Sequence, residues 1–158
     1  MTDDMADSLG RIAARSPVQT FILIPLLALL GEALTRRRIR LRGEWLLLCL
    51  AGYGLYRGAG RYRMAQGAGS EGFRRPPDKL VTTGPYAISR NPMYLGHLLF
   101  SAGVALATGS PIAVGGFVYE WRRFTRRVRI DEERIEKVFG EEYREYRSRV
   151  PRWVPYWD

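Results

Sequence analysis

YLGHLLFSAGVALATGSPIAVGGFVYEW, Tyr94 to Trp121, is two apolar runs parted by Gly109-Ser110-Pro111. Tyr94 to Thr108 is apolar apart from His97, and Ile112 to Trp121 turns apolar again. The Gly-Ser-Pro step predicts a tight turn, with Ser110 as N-cap and Pro111 at the first helical position. The stretch therefore reads as a helical hairpin. Its tip carries no charge, as expected of a loop facing away from the cytoplasm. The second arm continues without a break into WRRFTRRVRIDEERIEKVFGEEYREYRSRV, where Arg122, Arg123, Arg126, Arg127 and Arg129 mark its exit from the membrane. Gly140 ends this helix, and Glu141 to Val150 form another before Pro151. The close, Trp153, Pro155, Tyr156 and Trp157, suits docking at the membrane interface.

Upstream, Pro17 to Leu34 (PVQTFILIPLLALLGEAL) carries one charge, Glu32. At 1.5 Å per residue it spans roughly 27 Å, close to the ~30 Å hydrocarbon core of a bilayer. Pro25 inside it is better tolerated in a membrane helix than in a soluble one. Trp45 to Tyr56 (WLLLCLAGYGLY) is shorter, with aromatic residues at both ends, and reads as a short span or a re-entrant helix. Arg57 to Lys79 is rich in glycine and arginine and is expected to be a basic loop of functional length. A neutral hairpin tip outside places Arg57 to Pro92 and the C-terminus inside. Arg36, Arg37, Arg38, Arg40 and Arg42 then conflict with the positive-inside rule if 45–56 crosses fully, so the N-terminal orientation stays open.

Composition narrows the class. The chain has 158 residues, one domain's worth, with 25 basic and 16 acidic residues and a net charge of +9. Lys79 and Lys137 are the lysines; the remaining cations are arginines at the edges of apolar blocks. That arrangement points to an anionic membrane surface and away from nucleic acid, because no aromatic-basic binding face emerges. One cysteine, Cys49, and one histidine, His97, leave no disulfide framework and no metal centre built from those residues. Met1 to Gly10 has three aspartates and does not read as a signal peptide.

LVTTGPYAISRNPMYLG, Leu80 to Gly96, joins a Gly84-Pro85 turn to a helix that starts at Asn91-Pro92. A helix N-terminus beside Tyr86, Arg90, Asn91 and Tyr94 can hold an anionic group such as a carboxylate. The plainer reading is a structured turn into a membrane helix, with Arg90 at headgroup level.

This segment, followed about 35 residues on by DEERIEKVFGEEYREYRSRVPRWVP, closely resembles the isoprenylcysteine carboxyl methyltransferase and phospholipid methyltransferase superfamily, its short bacterial members above all. The resemblance covers roughly the C-terminal half: a G-P-Y turn, an R-(H/N)-P-x-Y segment, an apolar hairpin, an acidic pair and an F-G-x-x-Y-x-x-Y-x-x-R-V-P tail. Asn91 stands where eukaryotic members have His. Asp131, Glu132 and Glu133 can each be aligned with the acidic pair, and Glu132 with Glu133 is preferred because Arg134 then follows. The resemblance implies an S-adenosylmethionine site formed by Leu80, Val81, Tyr86, Arg90, Asn91, Pro92, Met93 and Tyr94. It implies that Glu132 and Glu133 face that segment, with Arg127 or Arg129 contacting an anionic acceptor. A lipophilic or lipidated acceptor and membrane lipids are the expected partners. The expected setting is a bacterial cytoplasmic membrane, with the cofactor site toward the cytoplasm.

Methyl transfer is an in-line displacement, so its main demands are orientation and exclusion of water. A carboxylate acceptor needs no base. An amine, thiol or phenol must lose a proton, and Glu132, Glu133, His97 or Tyr94 are the candidates to take it. No Gly-rich nucleotide fingerprint follows a strand, which argues against a soluble Rossmann-type enzyme. Simpler readings stand beside these. The arginines after Trp121 are also a membrane anchor, Arg129 and Glu133 also an i,i+4 pair, and His97 also a helix-to-helix hydrogen bond. Glu32 and Glu120 read as membrane-boundary residues. The charged residues of 141–149 read as a solvated face. A membrane NADPH-dependent reductase of the sterol type and a non-catalytic lipid-binding module are the competing functions.

The expected fold is all-α: a polytopic membrane protein with about four membrane helices, including the C-terminal hairpin, and a cytoplasmic helical tail. It forms one methyltransferase domain, 1–158. Within it, 17–56 are N-terminal membrane helices and 57–79 the basic loop. The cofactor motif and hairpin occupy 80–139, and the C-terminal helix and aromatic tail 140–158.

Overall fold

A computed structural model of the chain describes residues 16–36, 41–68 and 78–154. The readings of Met1 to Gly10, of Arg37, Arg38 and Arg40, of 69–77 and of Pro155, Tyr156 and Trp157 lie outside the described residues. Among the described residues every regular element is helical. Helix α1 is made of Ser16–Val18, a π-helical Gln19–Leu23 and Ile24–Arg36. A 3-10 turn, Gly43–Trp45, leads into α2, Leu46–Ala65. A second, Gly84–Ala87, precedes α3, Pro92–Thr108, which is followed by α4, Pro111–Phe139, and α5, Glu141–Arg149.

The expected hairpin is present as α3 and α4. Ser110 does precede Pro111, but its buried hydroxyl makes no cap hydrogen bond among the described residues. Instead the Ser110 N–H donates to Thr108 Oγ1 at 3.2 Å. The expected loop at 57–79 is corrected at its start: α2 runs on through Arg57 to Ala65. Its 20 residues bury Ala59 and Arg63 on one face, which holds the helix despite Gly58 and Gly60.

The chain divides into two compact units, Met1–Tyr53 with His97–Glu120, and Gly54–Gly96 with Trp121–Asp158. The first is built for an apolar solvent. Ile22, Leu26, Leu27, Leu30, Leu47 and Leu50 are exposed on α1 and α2, more apolar surface than a water-soluble protein leaves open. Within the described residues Ser16–Thr35 is long and apolar enough to cross a membrane, and Pro92–Thr108 is apolar but shorter.

The core of this unit joins Ala28, Cys49, Val104, Ala105 and Ala113. Small residues let helices approach closely, as membrane packing requires. At Gly103 a Cβ would lie 2.7 Å from Cys49 Sγ and 2.9 Å from the Cys49 backbone nitrogen. A backbone atom cannot swing aside as a side chain can. Gly103→Ala is therefore expected to force α2 and α3 apart and to lower stability by roughly 1–3 kcal/mol. Thermal unfolding in detergent measures it, and an unshifted midpoint refutes the close crossing.

Three buried polar side chains here meet one another across helices. His97 Nδ1 lies 2.8 Å from Thr20 Oγ1, and Thr20 donates to Glu120. A threonine hydroxyl has one proton, so with Thr20 as donor to Glu120 the bond from His97 must carry an Nδ1 proton. His97 also stacks on Phe21, with centroids 4.8 Å apart. The helix-to-helix reading of His97 holds. Glu32 and Glu120, expected at membrane boundaries, are both buried.

Candidate active site

The second unit gathers the chemistry. Thr83 to Ile88 turn through the 3-10 segment at Gly84, whose φ of +59° favours glycine. A Cβ there would also strike Tyr62 Cζ at 2.6 Å. The Tyr62 hydroxyl meets Thr83 Oγ1 at 2.8 Å, tying the turn to α2. Tyr86 is thereby placed in the wall of a cleft.

Past the turn, Arg90 and Asn91 open α3, and both reach one residue of α4. Arg90 Nε donates to Glu132 Oε1 at 3.1 Å, and Asn91 Nδ2 donates to the same oxygen at 3.0 Å. The other oxygen, Oε2, accepts Arg152 Nε at 3.1 Å and Nη2 at 2.9 Å. Four N–H groups thus hold one carboxylate. Burial raises the Glu132 carboxyl, but hydrogen bonding and charge from Arg152 and Arg90 outweigh it and hold the group below its ordinary value. The anion expected at the Arg90–Asn91 helix start is therefore the protein's own Glu132.

Arg90 also ties in the C-terminal segment. Its Nη1 donates to Val150 O at 2.6 Å and Arg147 O at 3.1 Å, and its backbone N–H donates to Pro151 O at 2.9 Å. Ser89 Oγ donates to Arg152 O at 3.1 Å. Helix α5 turns Tyr143 and Tyr146 inward beside Leu80, Ile135 and Phe139. The Tyr146 hydroxyl donates to the Tyr86 carbonyl at 2.6 Å. The charged side chains of α5 face out, with Arg144 bridging Glu141 at 2.7 Å, as expected of a solvated face.

A second contact runs one residue earlier on α4. Tyr94 donates its hydroxyl proton to Asp131 Oδ2 at 2.8 Å, and its ring packs on Phe124 at 5.1 Å. Arg127 Nε lies 3.4 Å from the same oxygen, and Arg134 Nη1 lies 3.8 Å from Oδ1. Phe124, Val128, Asp131 and Glu132 are buried along one face of α4, at the i, i+4, i+7 and i+8 positions of a helical stripe. Glu133 falls off that stripe and is exposed, as is Arg129. The inward acidic pair is Asp131 with Glu132. Glu133 and Arg129 do not join the site.

The cleft is lined by Leu80, Val81, Tyr86, Arg90, Asn91 and Glu132, all anticipated, and by Arg63, Lys79, Ile135, Tyr143 and Tyr146. Its empty space is about 450 Å³, including the part open to solvent. Pro92, Met93 and Tyr94 are buried at the start of α3 but outside that lining. Of the residues that sequence reasoning missed, Tyr143 and Tyr146 carried a signal in their i,i+3 spacing after Gly140. Arg152 carried none.

A model of the family described as phospholipid methyltransferase matches residues 47–142. The chain belongs to this family. It is 40% identical over 84 residues to protein-S-isoprenylcysteine O-methyltransferase B of Arabidopsis thaliana, covering 52% of this chain and 43% of that one. Against the protein-S-isoprenylcysteine O-methyltransferase of Saccharomyces cerevisiae it is 35% identical over 78 residues, 49% of this chain and 33% of the relative. In structure it is similar to the eukaryotic intramembrane Ras methyltransferase ICMT (isoprenylcysteine carboxyl methyltransferase), with a TM-score of 0.65 and 24% identity. That likeness covers 85% of this chain and 50% of the other. The chain thus spans half or less of the length of these relatives. The phospholipid methyltransferase family membership and the structural likeness agree on an all-helical integral-membrane fold.

Proposed function

We propose that this member of the phospholipid methyltransferase family is an S-adenosylmethionine-dependent methyltransferase with a lipophilic carboxylate acceptor. The observation that carries the reading is the Glu132 clamp. It locks Arg90, Asn91 and Arg152 around one carboxylate at the edge of a cleft, with Arg90, Asn91 and Glu132 inside the segment that the family model matches.

The residues present fit the cofactor. Leu80, Val81 and Ile135 offer apolar surface for a nucleoside, and the buried hydroxyls of Tyr86 and Tyr143 with the cations of the lining offer polar contacts. Leu80, Val81, Tyr86, Arg90 and Asn91 would hold it, with Pro92, Met93 and Tyr94 supporting the start of the helix. Bound there, S-adenosylmethionine supplies a methyl group on a sulfonium.

The chain's own residues restrict the acceptor. Glu132 is engaged by four N–H groups and held below its ordinary pKa, so it is a poor base at neutral pH. Burial, opposed in part by Arg63, pushes the Tyr86 phenol up to about 12, so it keeps its proton and is no base at neutral pH either. A protonated amine would find no ready base in this lining, whereas a carboxylate needs none. Arg63 and Lys79 in the same wall favour an anion. Arg127, about half exposed and beside Asp131, is the candidate for an acceptor contact.

The reading extends to about four membrane helices and a site facing the cytoplasm. The arginines from Arg122 onward support that orientation through the positive-inside rule. Calorimetry on the full chain in detergent is expected to show binding of S-adenosylhomocysteine and none of NADPH. Incubation with labelled S-adenosylmethionine and a total lipid extract is expected to yield a base-labile methyl ester. Heat with NADPH alone, or no labelled product from any extract, refutes the reading.

A further inference from the structure

Tyr86 and Tyr143 hold something the clamp does not use. Their side chains are buried, at 6% and 1% relative exposure, and both line the cleft. Among the described residues neither hydroxyl has a hydrogen-bond partner. A buried polar group left unmatched costs roughly 1–3 kcal/mol, so each such group in a fold calls for an explanation. Tyr146 is the contrast, because its hydroxyl is spent on the Tyr86 carbonyl at 2.6 Å.

Packing alone does not call for a hydroxyl on Tyr143. Its ring meets Tyr146 edge-on, with centroids 6.1 Å apart, and phenylalanine would make the same contact. The two phenols come from separate elements, the 3-10 turn and α5, so no local motif explains their convergence on one cleft. Burial, and then the charge of Glu132, raise the Tyr143 hydroxyl, while Arg90, Arg147 and Arg152 oppose it. Both phenols are therefore O–H donors at neutral pH. Around them the lining adds Arg63 and Lys79. Two donors beside cations match a group that accepts hydrogen bonds and carries negative charge.

We propose that the phenols of Tyr143 and Tyr86 form a carboxylate subsite in the wall of the cleft. The carboxylate has two possible sources, the amino-acid end of the methyl donor and the acceptor itself. The inference rests on the reading of the cleft as the methyl-transfer site.

Calorimetry on the full chain in detergent with S-adenosylhomocysteine, and with methylthioadenosine, which lacks the amino-acid end, separates the sources. A kinetic arm measures KM for an N-acetyl S-prenyl cysteine. If the donor's carboxylate binds here, Tyr143→Phe weakens S-adenosylhomocysteine about 3–10-fold, the scale of one hydrogen bond, and leaves methylthioadenosine unchanged. If the acceptor's carboxylate binds here, the acceptor KM rises by the same factor and S-adenosylhomocysteine binding holds. Ligand-free Tyr143→Phe melts no lower than wild type, whereas Tyr146→Phe melts lower. Tyr86→Phe is the second variant and shows the same ligand pattern. Wild-type binding retained by both Tyr143→Phe and Tyr86→Phe, with KM unchanged, overturns the subsite alone. Wild-type protein that binds no S-adenosylhomocysteine overturns the methyltransferase reading and the subsite with it.

Discussion

Glu132→Ala is expected to lower stability by roughly 3–5 kcal/mol, because it leaves buried charge without its counter-ion. The Arg90 side chain is 5% exposed and that of Arg152 25%, so water cannot fully replace the carboxylate. At about 2–4 °C per kcal/mol for a chain of this size, the midpoint falls by roughly 6–20 °C. Cofactor binding should go with it, since Asn91 loses the acceptor that orients its amide. Glu132→Gln keeps the shape and one acceptor oxygen, so its loss should be smaller. The native carboxyl sits below its ordinary value of 4.5. Its stabilisation is therefore fully present above that pH and is lost as the pH falls through the lower, folded value. Glu132→Gln should lack that portion of the acid transition. Thermal scans across pH in one detergent check both points, and an Ala variant that melts with wild type refutes the clamp.

The same residues mark what was legible in the sequence. Gly109-Ser110-Pro111 between two apolar runs announced the hairpin, because turn chemistry and periodicity agree there. Asn91 and Tyr94 were expected to face Glu132 and Glu133; Asn91 meets Glu132 and Tyr94 meets Asp131. The register of those acids, left open between Asp131, Glu132 and Glu133 with the last two preferred, is a question of helical phase. Counting on from Phe124 and Val128 brings Asp131 and Glu132 to the buried face and turns Glu133 outward. The 57–65 segment read as loop because Gly58 and Gly60 each cost about 1 kcal/mol in a helix. Burial of Ala59 and Arg63 overrides that local preference, a tertiary effect invisible in composition. Arg152 was beyond reach, since its partner Glu132 lies 20 residues away in sequence and no periodicity links a tail to a helix face.

The phase of α4 also sets the sharpest test of chemistry. Asp131→Asn is expected to cut kcat/KM by about 10–150-fold, while Glu133→Gln changes it less than twofold. Asp131 has a side chain 3% exposed, and its Oδ2 receives the Tyr94 hydroxyl at 2.8 Å with Arg127 Nε at 3.4 Å. An amide in its place cannot serve both donors with charge. A hydrogen bond to a charged group contributes roughly 1.5–3 kcal/mol, and each 1.4 kcal/mol is a tenfold factor. The loss reaches methyl transfer through Tyr94, which loses its anchor at the start of α3, one turn from Asn91. Asp131 is in this sense a positioning residue, so Tyr94→Phe should reproduce most of the defect and the double variant should add little to either. Glu133 touches neither side chain and projects to solvent, so its charge is screened. Initial rates with labelled S-adenosylmethionine, taken for all four proteins at one pH, distinguish the two registers. A large defect in Glu133→Gln with a silent Asp131→Asn would mean that α4 is rotated by about two residues from the arrangement described.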